Sequence, residues 1–164
     1  MNMRTGRRGS ILAVALLALA PWWASSATCW AGEKKEGHEG HKAPHGGSLN
    51  AIGSCENGHV EVKVTDDKLE AWFVGGGQDT NRSVRLKVSE ITLSVKLPDG
   101  RTEKLVLKAD PLGLALEKVG DCSHFTAKAD WLKRTKEFEA TGEVEFKGKP
   151  AKLIIQYPGG YDPD

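Results

Sequence analysis

The stretch His59-Val60-Glu61-Val62-Lys63-Val64 alternates polar and apolar side chains, and this alternation decides the fold class. Successive side chains of a β-strand point to opposite faces, so the three valines share one face. The same period of two returns along the chain between turn-forming residues. The predicted strands span residues 59–64, 69–74, 83–97, 104–109, 124–129, 143–147 and 151–157.

Many short strands with little helix predict an all-β domain, a single antiparallel β-sandwich of immunoglobulin-like size. A small barrel is the alternative. Within 83–97 the apolar residues change parity near Ser89-Glu90, which indicates a β-bulge or two strands that meet at a bend. Pro98-Asp99-Gly100 predicts a hairpin turn. Residues 130–136 predict one short helical turn capped by Asp130.

The first 31 residues have the pattern of an export signal. Residues 1–10 carry three arginines and no acid, and the apolar run 11–20 that follows is too short to span a bilayer comfortably. Cleavage is predicted after Ala31, with Ala27 as the alternative. Lipidation of Cys29 is a further alternative, although the residues before it fit a lipoprotein signal poorly. We therefore expect a periplasmic or secreted protein, associated with a membrane only if Cys29 is lipidated.

The charge of the chain argues against nucleic acid as a partner. Its formal net charge is +1, and loss of a leader with three arginines and no acid changes this to −2. A chain without an excess of basic residues lacks the positive charge that attracts the phosphates of DNA or RNA. The predicted organisation is a signal peptide (1–31), a flexible, disordered His/Gly-rich arm (32–47), a β-domain (48–158) and a polar tail (159–164).

The arm gathers three of the chain's five histidines, namely His38, His41 and His45. Glycines and a proline surround them, so the segment cannot build a core, but it can bring several imidazoles to one ion. His59 opens the first clear strand and is the candidate fourth ligand. The alternative is that the arm is a solvated linker and that His59 is an ordinary strand-end residue. His124 is interpreted as structural.

The residue types favour divalent zinc, copper(II), nickel or cobalt as the ion, with zinc or copper(II) preferred. Imidazole suits these metals, and both methionines lie in the leader, so the exported chain has no thioether for copper(I). Catalysis is not expected. The sequence lacks the Gly-x-Ser-x-Gly and His-Glu-x-x-His motifs of hydrolases and metalloproteases.

Cys55 and Cys122 remain after the leader is removed, an even pair in an oxidising compartment. A disulfide between them is the preferred prediction, since a bridge closing so long a loop is expected to stabilise the fold by about 4 kcal/mol. The alternative is that both thiolates are metal ligands. Neither cysteine has a Cys-x-x-Cys partner, which favours the disulfide.

The segment Pro44-His45-Gly46-Gly47, followed by Ile52-Gly53 and by Gly58-His59-Val60-Glu61-Val62, resembles a group of small exported bacterial proteins. These have a His-rich leader, an HGG element and a β-domain, often without an assigned function. Similar His-Gly-Gly segments accompany periplasmic components of heavy-metal efflux systems. The resemblance implies a metal-related periplasmic role in which His45 and His59 take part. The long helical hairpin of efflux adaptor subunits is absent from this sequence.

The sequence thus predicts an exported protein that binds a divalent transition metal through His38, His41, His45 and His59. It would buffer the ion or deliver it to a periplasmic efflux component. The alternative hypothesis is an interaction or structural module of the cell envelope with no metal role.

Overall fold

A computed structural model describes residues 41–163, and its eight strands form one antiparallel sheet. The strands are β1 Ser48–Ile52, β2 Ser54–Thr65, β3 Lys68–Val74, β4 Glu90–Lys96, β5 Thr102–Ala109, β6 His124–Lys128, β7 Phe138–Phe146 and β8 Lys149–Tyr157. Their order across the sheet is β1-β2-β3-β6-β5-β4-β7-β8. The prediction of an all-β, antiparallel fold is confirmed for these residues.

The two edge strands of the sheet, β1 and β8, approach each other. Asn50 is fully buried between them, and its Oδ1 accepts a hydrogen bond from the backbone N–H of Gln156 at 2.8 Å. Just beyond β8, the carbonyl of Tyr161 accepts from the N–H of Ala51 at 2.8 Å. The described residues therefore form one nearly closed sheet instead of the two stacked sheets that were expected, which is closer to the barrel alternative.

The alternation that predicted β2 also sorts its side chains between two faces. Val60 and Val62 lie in the hydrophobic core together with Phe73 of β3. His59 and Glu61 alternate with these valines and therefore lie on the opposite face, where both are buried. This opposite face of β2 and β3, called the outer face below, carries the candidate site.

The hairpin predictions are confirmed, because β4 pairs with β5 and β7 pairs with β8. The parity change within 83–97 marks the boundary between β4 and a preceding segment that makes only single bridges through Ser83 and Leu86. The helical turn is a short 3-10 turn, Asp130–Lys133. Its predicted cap is wrong: Asp130 is the turn's first residue, and Ala129 precedes it without a side-chain cap.

The only other helical element among residues 41–163 is a 3-10 turn at Gly113–Ala115. Neither turn has the length or hydropathy that a membrane-crossing helix needs.

Candidate metal centre

A bulge in β2 brings Cys55 close to His59. The ladder with β1 pairs Ala51 with His59, but the next residue, Ile52, pairs with Ser54 instead of Gly58. Residues 55–58 are therefore extra on β2 and loop out of the ladder. In a straight strand, two residues four positions apart lie about 13 Å from each other. The bulge removes that separation, so that one ligand atom each from Cys55, His59 and His41 lie within 4.8 Å of one another.

The orientation of His59 leaves one ring nitrogen for a ligand. Its Nδ1 lies 3.2 Å from the carbonyl oxygen of Gly75. A carbonyl can only accept, so Nδ1 carries the hydrogen and Nε2 keeps its lone pair. Metal-binding histidines are commonly held in this way, with the second nitrogen donating to a backbone carbonyl.

Burial also favours the neutral form of His59. Its side chain is only 2% exposed, and desolvation lowers the pKa of the imidazole below its usual value. Nearby His41 lowers the pKa further, while the Gly75 carbonyl and Asp162 oppose the shift. Since neutral imidazole is the form that binds a metal, the site is prepared for a cation at neutral pH.

His41 reaches the site on a segment, His41–Gly47, that is fixed against the outer face by Glu61. The carboxylate of Glu61 is fully buried and accepts from the N–H of His45 at 2.8 Å and from the N–H of Gly47 at 2.8 Å. Gly47 is needed at this close approach, because a Cβ there would lie 2.5 Å from the Val62 carbonyl oxygen. These contacts, together with the Nδ1 of His45, are called the Glu61 clamp below.

A second anchor holds the residue beside His41. The hydroxyl of Thr80, which is buried, donates to the carbonyl of Lys42 at 2.9 Å. The ring of His41 then meets that of His59 edge to face, with centroids 5.0 Å apart. His41 is thus positioned by the anchored residues that follow it in the chain, Lys42 and the Glu61 clamp.

The thiol of Cys55 points at a carboxylate. Its Sγ donates to Oδ1 of Asp162 at 3.0 Å. The three ligand residues and Asp162 line an open cavity of about 370 Å³, which continues along Pro158–Tyr161. Solvent and ions can therefore reach the donors.

His45 does not join this cluster. Its Nδ1 lies 2.8 Å from Oε2 of Glu61, and its ring stacks on Trp72 with centroids 4.3 Å apart. His124 stacks on the other face of Trp72 at 4.9 Å. His45 and His59, which the resemblance links, therefore lie in two different clusters, and His38 lies outside the described residues.

The expected disulfide between Cys55 and Cys122 is not formed in the described chain. The two thiols lie on opposite faces of the sheet: Cys122 belongs to the hydrophobic core and donates to the carbonyl of His124 at 3.4 Å, whereas Cys55 lines the cavity. Burial raises the pKa of the Cys122 thiol, so it remains protonated. Cys55 alone of the pair is placed to be a ligand.

The sequence predicts Cys55 as a ligand only together with Cys122, and it predicts that Asp162 belongs to a polar tail. The spacing Cys55-x-x-x-His59 is the one local signal for the site. This spacing brings the two side chains together only because of the bulge, and no residue pattern predicts that bulge. Asp162 is more than one hundred positions from Cys55, so only the closure of the sheet could reveal their contact.

Comparisons of the chain with protein-family models, with curated proteins and with solved structures find no match.

Proposed function

We propose that this chain is an exported protein that binds a divalent transition metal ion at His41, Cys55 and His59. The observation that carries the proposal is the convergence of two imidazoles and a thiol within 4.8 Å of one another. Its role is to hold the ion, as a buffer or as a donor to an efflux component, and not to catalyse a reaction. Export and the link to efflux are supported by the leader composition and by the resemblance of the HGG segment.

The donor set selects a class of ion. Imidazole and thiolate ligands suit zinc and copper, whereas magnesium and calcium prefer oxygen ligands. Zinc accepts a mixed set of cysteine and histidine ligands in a tetrahedral arrangement, with bonds of about 2.0–2.3 Å. Zinc is therefore the first ion to test, with cobalt(II) as its spectroscopic substitute.

Binding must displace a proton, because the thiolate is the form of cysteine that ligates. Cys55 is a hydrogen-bond donor to Asp162. An S–H bond is broken and a sulfur–metal bond is formed, with the proton passing to solvent. Affinity for zinc should therefore rise with pH.

The test is calorimetric titration of the purified chain with zinc in the presence of a competing chelator. His59→Asn is the most informative variant, since its amide nitrogen can still donate to the Gly75 carbonyl while the Nε2 ligand is lost. Removal of a metal's outer-shell partner costs about 10–100-fold in affinity, so loss of a direct ligand in His59→Asn or Cys55→Ser should cost at least about 100-fold. Cys122→Ala is the matched control and should leave affinity unchanged. Equal affinities in all four proteins would contradict the proposal.

A second candidate function, an interaction module of the cell envelope, is favoured by one observation. Four apolar side chains are exposed on the loop between β5 and β6: Leu112, Leu114, Leu116 and Val119. Glu117, whose side chain is buried, fixes this loop by accepting from the N–H of Leu112 and from the hydroxyl of Ser123. Exposed apolar clusters commonly mark binding surfaces.

The two functions are separated by their effects in cells. A phenotype that is lost in a Leu114→Ser, Leu116→Ser double variant with unchanged zinc affinity would favour the interaction module. A phenotype that is lost in His59→Asn and retained in the double variant would favour the metal role.

A further inference from the structure

We propose that Asp162 is the fourth ligand of the metal centre, supplied by a C-terminal segment that closes over the site. This inference rests on the proposed function and completes it: the site becomes a four-coordinate set of one cysteine, two histidines and one carboxylate. Three features of the structure support it, namely the path of the segment, the contact of Asp162 with Cys55, and the balance of charge.

The path of the C-terminal segment is fixed by its backbone. The N–H of Gly160 donates to the Gln156 carbonyl at 2.7 Å, and Tyr161 exchanges hydrogen bonds with β1, donating to Leu49 at 3.2 Å and accepting from Ala51 at 2.8 Å. Gly160 has a φ of +81°, and a Cβ there would overlap the Leu49 carbonyl oxygen. A glycine is thus required where the segment crosses β1, and the crossing sets the position of the next residues.

The carboxylate of Asp162 contacts Cys55, one of the three proposed ligands. Its Oδ1 accepts from Cys55 Sγ at 3.0 Å. It also lies near enough to His59 to raise the pKa of that imidazole, against the larger effect of desolvation. A thiol and a carboxylate oxygen at this separation are close to the span of two ligands on one zinc ion, whose bonds are each about 2.0–2.3 Å long.

Charge explains why a carboxylate is suited to this position. The thiolate of Cys55 supplies one negative charge and the neutral imidazoles of His41 and His59 supply none. A divalent cation would therefore keep one uncompensated positive charge beside buried residues. The ionised carboxylate of Asp162 removes it, which matters because an unpaired charge is costly in a partly buried site.

The same geometry gives Asp162 a part in exchanging the ion. Asp162 is exposed, whereas Cys55 and His59 are buried. Its carboxylate accepts the hydrogen bond from the thiol and is itself exposed. It therefore offers the thiol proton a path to solvent when the metal enters. As the outermost ligand, it is also the first that a recipient's own ligand can replace, and displacement of the C-terminal segment would open the site.

The test titrates the full chain with cobalt(II) and follows its absorption spectrum. Asp162→Asn should retain the thiolate-to-cobalt charge-transfer band, because Cys55 still ligates. Its cobalt affinity should fall at least about 100-fold, because a direct ligand is lost and even an outer-shell partner is worth about 10–100-fold. Its ligand-field bands should weaken as water molecules replace the carboxylate and raise the coordination number above four.

Glu56→Gln is the matched control. Glu56 is exposed on the same bulge and its charge also acts on His59, so this variant removes the same charge from the same neighbourhood and leaves both Cys55 and Asp162 in place. Its cobalt affinity should stay within about threefold of the wild type, since exposed charges interact weakly. Equal losses in Glu56→Gln and Asp162→Asn, or no loss in Asp162→Asn, would overturn the role of Asp162. Absence of the charge-transfer band in the wild type would instead overturn the proposed function.

Discussion

Two histidine clusters lie side by side on the outer face of the sheet, and the segment His41–Gly47 contributes one residue to each. In the Glu61 clamp, the Nδ1 of His45 meets a buried carboxylate and its ring covers Trp72. In the candidate metal centre, His59 donates through Nδ1 to a carbonyl, and its ring lines a cavity shared with Cys55. The two histidines thus differ in what surrounds the ring, which is a carboxylate and an indole for His45 and a thiol-lined cavity for His59.

The largest expected effect on stability comes from breaking the Glu61 clamp. In Glu61→Leu, the side chain offers no acceptor to the backbone N–H groups of His45 and Gly47, both of which now donate to Oε1 of Glu61. Because such hydrogen bonds to charged groups are worth about 1.5–3 kcal/mol each, we expect the free energy of unfolding to fall by at least about 3 kcal/mol, measured by urea denaturation.

Glu70→Leu is the control for this loss of a charged acceptor. Glu70 lies on neighbouring β3, is partly exposed and pairs with Lys68 at 2.8 Å. Its replacement should cost at most about 1 kcal/mol, as for other surface ion pairs. Similar losses in the two variants would mean that the clamp has no special structural role.

A smaller loss of stability is expected from His45→Asn, a variant that changes the Glu61 clamp and leaves the proposed metal ligands in place. The asparagine amide can still donate to Glu61, but the stack on Trp72 is lost. Ring pairs of this kind contribute about 0.5–1.5 kcal/mol, so urea denaturation should show a loss of about 1 kcal/mol. Zinc affinity should stay within about threefold of the wild type. A loss of zinc affinity as large as that of His59→Asn would place His45 among the ligands.

The smallest expected effect is a pH dependence carried by His59. Its pKa is lowered in the folded chain, so below its ordinary value of about 6.5 the unfolded state binds more protons than the folded state. The metal-free protein should therefore lose stability as the pH falls below about 6.5, by less than about 1.4 kcal/mol per pH unit for one group. His59→Asn should show a shallower dependence in parallel urea titrations. Identical slopes for both proteins would contradict the buried, neutral state of His59.

The strands and hairpins were predictable because a period of two and the turn residues are local signals. Pairing of the edge strands was not predictable, because strands of two stacked sheets and of one closed sheet have the same alternation of apolar and polar residues. The closure depends on Asn50, a polar residue buried between β1 and β8. A buried asparagine cannot be told from an exposed one by its neighbours in sequence.

The site was predictable only in part for a similar reason. Histidine clustering drew attention to the segment that ends at Gly47, and His41 and His59 do meet there. The separation of His45 from them depends on Glu61, which the alternation of β2 predicts only as a polar residue of the outer face. Cys55 reaches His59 through a bulge, and Asp162 reaches Cys55 through closure of the sheet, so both contacts are set by tertiary structure.

Binding of the metal by Cys55 together with histidines is the central claim, and X-ray absorption at the zinc edge of the zinc-loaded protein tests it. We expect one sulfur at about 2.3 Å and nitrogen or oxygen neighbours at about 2.0–2.1 Å, with imidazole scattering from two rings. The sulfur should be lost in Cys55→Ser and retained in Cys122→Ala. A zinc shell of nitrogen and oxygen alone in the wild type would contradict the account.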